Sequence, residues 1–151
     1  MADAGQATLV DSNILLDIFT RDPAWFAWSS AALTRAADQG VVAINPIIYA
    51  EISIRFSRIE ELDAVLAPAD VQRITLPWEA GFLAGKCFAT YRRKGGARRS
   101  PLPDFYIGAH AAVAGMRLLT RDRSRYRHYF PHLEIVAPAG MPRKPVKGRS
   151  G

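Results

Sequence analysis

Five short, mainly apolar runs punctuate this chain: ATLV (7–10), VVAI (41–44), QRITL (72–76), RLLT (117–120) and LEIV (133–136). Runs of this length read as strands buried on both faces. Helix-like segments lie between them. A short one covers Asn13 to Phe19. Asp22-Pro23 opens the next, whose apolar residues recur at helical spacing up to a C-cap at Gly40. Asn45-Pro46 opens another with proline at its first position, running through Phe56. Further helical patterns span 59–67, Pro77 to about Arg93, and Asp104 to Ala114, and a short one follows Arg121-Asp122. Strands alternating with helices predict an α/β fold with one parallel sheet covered on both sides.

The other bounds are consistent with one domain. At 151 residues the chain is long enough for a full hydrophobic core, and 49% hydrophobic with 23% charged residues is ordinary globular composition. The start, MADAGQATLV, lacks the basic flank and apolar run of a signal peptide, and no apolar stretch approaches a membrane span. A single cysteine, Cys87, excludes an intrachain disulfide and fits a cytoplasmic setting; its place in FLAGKCFATY reads as a buried structural thiol. With one Cys and three scattered His there is no zinc-ligand spacing, so any metal must be held by oxygen, which favours magnesium or manganese.

The net charge of +6 is unevenly spread. The stretch from 92 to 127 carries ten Arg or Lys against only Asp104 and Asp122, whereas residues 1–91 are net acidic. Arg143, Lys144, Lys147 and Arg149 add four more positive charges to a Pro/Gly-rich tail that reads as disordered and solvated. A basic face beside acidic residues suits a polyanion, because phosphate contacts supply most of the affinity for nucleic acid.

Four acids stand inside or next to apolar stretches: Asp11 in LVDSNILL, Glu51 in INPIIYAEISI, Asp104 in LPDFYIGAHAAV and Asp122 in RLLTRD. Each lies just beyond a predicted strand or one turn into the following helix. In open parallel sheets that is the edge where ligands bind. Asp11, Asp104 and Asp122 could each merely cap a helix. Glu51 cannot, since it lies within one, and an ion pair with Arg55 one turn later is a weak reason for a carboxylate among isoleucines. Two carboxylates 4 Å apart repel by about 4 kcal/mol at an effective dielectric of 20. A convergent set would therefore take up protons or bind cations, and a divalent ion both relieves the repulsion and activates water for attack on phosphate.

Several chemistries are excluded. A phosphatase of the haloacid-dehalogenase type needs a second Asp two positions after the first, where this chain has Asn13. There is no G-x-x-x-x-G-K-[ST] or G-x-G-x-x-G loop and no G-x-S-x-G elbow. His110, His128 and His132 are too loosely placed to nominate a general base, and Trp25, Trp28 and Trp78 read as core or partner-interface residues.

VDSNILLDIF, NPIIYAEIS, LPDFYIGAHAAVAGMRLLTRD and YFPHLEIVAP together resemble a PIN domain, specifically a VapC-type toxin ribonuclease, over residues 7–138. The resemblance implies a three-layer α/β/α domain with a five-stranded parallel sheet over 1–138, followed by the basic tail 139–151. It further implies Mg²⁺ or Mn²⁺ at Asp11, Glu51, Asp104 and Asp122, which fall on the family's acidic positions. Ser12, Asn13 and Thr120 would orient those carboxylates. The implied activity is endoribonucleolytic, with metal-activated water cleaving RNA, a VapB-type antitoxin as partner, and a homodimer as the assembly. The RNA backbone would be held by the basic segments, including Arg92, Arg93, Arg98, Arg99, Arg121 and Arg123. In one respect the chain departs from the pattern. Many relatives have another acid a few residues after the last Asp, where this chain has Arg123, Ser124 and Arg125, leaving one assured metal. Two other readings stay open: a non-cutting regulatory module that binds nucleic acid or a partner, and an RNA-processing or DNA-directed nuclease that is not a toxin.

Overall fold

The computed structural model describes residues 5–95 and 102–140. The chain runs β1 (Thr8–Val10), α1 (Ser12–Phe19), α2 (Phe26–Gln39), β2 (Val42–Ile44), α3 (Pro46–Ser53), α4 (Ile59–Leu66), a 3-10 turn (Ala67–Ala69) and β3 (Gln72–Arg73). It continues through α5 (Trp78–Arg93), α6 (Leu102–Ala114), β4 (Arg117–Leu119), α7 (Arg123–Arg127) and β5 (Ile135–Val136). All five predicted strands pair in parallel in one sheet, in the order β3-β2-β1-β4-β5. The expected three-layer α/β/α architecture is therefore present.

Strand order explains where a ligand can sit. From central β1 the chain builds outward through β2 and β3 on one side, then returns to lay β4 and β5 on the other. The switch point lies between β1 and β4, where Leu9 pairs with Leu118 and Val10 with Leu119. Ligands bind at such a point, beyond the carboxyl ends of the strands. The middle of the sheet is apolar on both faces, as Leu9, Val10, Ile44, Leu118 and Leu119 are almost fully buried. Ile14, Leu15, Ile48, Ile52 and Ile107 close over it from the helices.

Several boundaries differ from the sequence expectation. β3 covers two residues, since Ile74 to Leu76 leave the ladder after Ile74 N–H bonds to the Ile44 carbonyl. α3 ends at Ser53 instead of Phe56, and Ile54 is 84% exposed, so it supplies no apolar surrounding for Glu51. α2 begins at Phe26 because the Asp22 carboxylate accepts from Ala24 and Trp25 N–H, which holds that segment as a turn. α6 starts at Leu102, so Asp104 stands inside its first turn. Trp28 packs on the core as expected, while Trp78 is 92% exposed. Cys87 is buried, and burial pushes its thiol up. The predicted disordered tail falls mostly on residues 141–151, outside the described residues. Among the described residues, no helix is long and apolar enough to cross a membrane.

A buried polar bond braces the two helices that carry Glu51 and Asp104. Asn45 caps α3, its Oδ1 accepting from Ile48 N–H at 2.9 Å. The amide oxygen is thereby engaged, so Asn45 Nδ2 donates to His110 Nδ1 on α6, at 3.0 Å. His110 must then be neutral with its proton on Nε2, because a proton on Nδ1 would face the Asn45 donor. Burial lowers its pKa below the ordinary 6.5. In the unfolded chain His110 protonates near 6.5, but in the fold only at lower pH, so acid favours unfolding across that window. Between pH 7 and 5 the urea midpoint of the native protein should fall more than that of His110→Gln. Equal losses in the two proteins would show that His110 contributes none of the acid sensitivity.

Candidate active site

Asp11 immediately follows β1 and caps α1, its Oδ1 accepting from Ser12 N–H at 2.8 Å. It is 3% exposed, and an ionised carboxylate that deep must be supplied with donors. Ser12 Oγ also approaches Oδ1, at 3.4 Å. On the other oxygen, Thr120 Oγ1 donates at 2.8 Å from the residue after β4, and Tyr126 Oη at 2.9 Å from α7. Asp11 thus ties β1, α1, β4 and α7 together across the switch point.

The neighbouring acids attach through the same hydroxyls. Ser12 Oγ donates to Glu51 Oε1 on α3 at 3.1 Å. Tyr126 Oη reaches Asp104 Oδ1 on α6 at 3.4 Å. Asp11 therefore stands one hydroxyl from Glu51, 40 positions away in sequence, and one hydroxyl from Asp104, a further 53 positions on. The fallback reading of Glu51 as an ion pair with Arg55 does not describe this fold: the carboxylate turns toward Ser12 and Asp11.

Asp122 sits at the rim. Its Oδ1 accepts from Ser124 Oγ at 2.8 Å and its Oδ2 pairs with Arg125 Nε at 2.8 Å, while its side chain makes no capping bond to the α7 backbone. Thr120 Oγ1, besides donating to Asp11, accepts from Asp122 N–H and Asn13 Nδ2, and Asn13 Oδ1 accepts from Arg121 N–H. Asn13 and Thr120 thus link the segments after β1 and β4, while Ser12 joins Asp11 to Glu51 on α3.

The electrostatics are those of an acidic site short of positive charge. Burial raises the Glu51 carboxyl first, then the charge of Asp11, with Asp104 adding to it; Ser12 and Arg125 oppose the rise. Burial likewise raises Asp104, and Asp11 and Asp122 add to that while Arg125 and Tyr126 oppose it. The Tyr126 phenol is driven far above its ordinary range by burial and then by Asp11 and Asp104, so it remains a donor. Among the described residues, no three His, Cys, Asp or Glu side chains converge closely enough to hold a metal ion as they stand. The donors are all hard oxygens, the set suited to Mg²⁺ or Mn²⁺.

The predicted basic contacts are dispersed. Arg92 and Arg93 end α5, Arg92 over the Phe88 ring and Arg93 donating to Thr90. Arg123 is exposed at the start of α7. Arg98 and Arg99 lie outside the described residues. Arg121 is engaged, its Nε 2.9 Å from the buried Asp17 carboxylate in an ionic approach that is not an aligned hydrogen bond, with its guanidinium over the Trp25 ring. Sequence reasoning missed Asp17 and Tyr126, and read Arg125 only as part of a basic segment, not as the partner of Asp122. The available signal for Tyr126 was a hydroxylated aromatic within RSRYR, directly after the last acid.

A family model described as "PIN domain" matches residues 8–131. The chain belongs to the PIN-domain family. No curated protein matches it. Among solved structures this PIN domain is similar to VapBC2 from Rickettsia felis bound to a DNA fragment from its promoter, with TM-score 0.69, 18% identity, and coverage of 87% of this chain and 98% of that one. It is similar also to VapBC-1 from nontypeable Haemophilus influenzae (TM-score 0.65, 18% identity, 87% and 97% covered). A toxin-antitoxin complex from Klebsiella pneumoniae has TM-score 0.63 and 23% identity, with 87% and 97% covered. At these identities the likeness is one of fold.

Crowded carboxylates trade stability for readiness to bind a cation. A raised carboxyl pKa stabilises the fold fully below the unfolded value, near 4.5 for Glu51, and that contribution is lost as pH rises through the folded value. In chelator at pH 7, Glu51→Gln should therefore raise the thermal midpoint of this PIN domain. The advantage should shrink on acidification toward pH 4.5. A lower midpoint for the variant at pH 7 would contradict this electrostatic picture.

Proposed function

We propose that this PIN domain is a metal-dependent endoribonuclease acting as the toxin of a toxin–antitoxin pair. The observation that carries the reading is Asp11 at the β1/β4 switch point, one hydroxyl from Glu51 and one from Asp104. Mg²⁺ or Mn²⁺ would be held by these three carboxylates, with Asp122 completing the set from the rim directly or through water. When bound, such an ion acidifies water and polarises a phosphoryl oxygen.

The chain's own residues do the rest. Ser12 and Thr120 orient Asp11 through hydrogen bonds, and Asn13 locks the Thr120 hydroxyl in place. The buried Asn45–His110 bond fixes α3 against α6, and with it Glu51 relative to Asp104. Among the described residues, the mechanism calls on no side chain as a covalent nucleophile. Arg92, Arg93 and Arg123, with Arg98 and Arg99, would attract the RNA backbone. The similar VapBC structures favour a VapB-type antitoxin as the protein partner, and a homodimer belongs to the same reading.

Purified protein mixed with structured RNA and Mn²⁺ should cut it, and chelator should abolish cutting. Asp11→Asn and Asp104→Asn should each lose about a hundredfold or more in rate. Cleavage that survives chelation, or that persists in both variants, refutes the metal mechanism. Induced expression should arrest growth, and Asp11→Asn should not. Metal-dependent RNA cutting without arrest would identify a processing nuclease; DNA cut in preference would identify a DNA-directed one. Binding without any cutting would leave a regulatory module.

A further inference from the structure

The metal-centre reading, on which this inference rests, leaves one basic side chain at the site without a role. Arg125 stands on α7 one turn after Asp122, and its Nε lies 2.8 Å from Asp122 Oδ2. The next residue, Tyr126, sends its hydroxyl to both Asp11 and Asp104. The first turn of α7 is therefore docked against the acidic site, which sets Arg125 beside the carboxylates. Its charge reaches further than Asp122: it opposes the raising of both Asp104 and Glu51.

We propose that Arg125 is a resident counter-cation of the acidic site, competing with a divalent ion for its carboxylates, Asp122 first. A fixed positive charge there has two effects on metal binding. It offsets carboxylate repulsion in the metal-free protein, which reduces what a divalent ion gains by binding. It also repels that ion directly. The side chain is 55% exposed, so it can swing into solvent when an ion arrives, at the expense of its pairing with Asp122. Its strength as a competitor follows from Coulomb's law. Removing a unit charge several ångströms from a divalent ion at near-water dielectric changes affinity by roughly tenfold.

The test is Mn²⁺ binding to the full chain by titration calorimetry without RNA, with Asp11→Asn marking the site. Arg125→Gln should bind Mn²⁺ roughly tenfold more tightly than the native protein, and Arg125→Lys should stay close to native because it keeps the charge. The exposed position lets both variants fold. Mn²⁺ uptake by Arg125→Gln that depends on Asp11, with none detectable in the native protein, would support the proposal in its strongest form. Equal Asp11-dependent affinity in native and Arg125→Gln proteins would overturn it while leaving the metal centre standing. So would unchanged Mn²⁺ affinity accompanied by weaker RNA retention, which would make Arg125 a phosphate contact. If neither protein takes up Mn²⁺, the metal-centre reading itself fails, and this proposal with it.

Discussion

One buried carboxylate organises the functional end of the molecule. Asp11 is 3% exposed, and its two oxygens take hydrogen bonds from the Ser12 backbone, Thr120 and Tyr126, with the Ser12 hydroxyl 3.4 Å away. Those donors come from α1, the end of β4, and α7. A carboxylate at that depth without donors would cost several kcal/mol, so ionised Asp11 and the closure of three elements at the switch point stabilise each other. Glu51 and Asp104 then inherit their places by sharing the Ser12 and Tyr126 hydroxyls. The Asn45–His110 bond constrains the same two acids from behind, through the helices that bear them. The site is thus preorganised from two directions, although its carboxylates are held apart.

The fold was largely legible because its signals are local. Five apolar runs, Asn45-Pro46 at a helix start, and the acids that follow the strands need no tertiary knowledge, and all five strands pair in the expected sheet. Boundaries were less legible. Asp104 looked like a helix start after Pro103, but α6 begins at Leu102 and carries Asp104 inside its first turn. Pattern could not show that α3 stops at Ser53 and turns Ile54 out to solvent, because an isoleucine looks apolar wherever the chain leaves it. Glu51 was legible as an anomaly, and the structure supplies its surroundings: Ser12 and two other acids, with no pairing to Arg55.

What the sequence hid were the second members of pairs. Tyr126 sits at a position where an aromatic alone would serve the core, and only the fold shows its hydroxyl meeting Asp11 and Asp104. Asp17 belongs to a helix that reads as ordinary, yet it is 2% exposed, accepts from Ser29 Oγ at 2.7 Å and meets Arg121 at 2.9 Å. Burial raises its pKa, and Ser29 and Arg121 act against that rise. Arg121 was therefore miscounted as free positive charge. Partners separated by about a hundred positions carry no mutual signature in a single sequence.

This pairing changes how the basic half of the chain can act on a polyanion. Arg117 opens β4, at the end of the strand opposite the acids, where it donates to Thr8 Oγ1 and Gln39 Oε1. Arg121 is held by Asp17 and Trp25, and Arg125 by Asp122. The density of Arg in 117–127 thus overstates the cations available for phosphate. Arg123 and Arg127 on α7, and Arg92 and Arg93 ending α5, remain exposed. Such cations attract a phosphate backbone through the summed field more than through fixed contacts, and that attraction weakens with salt.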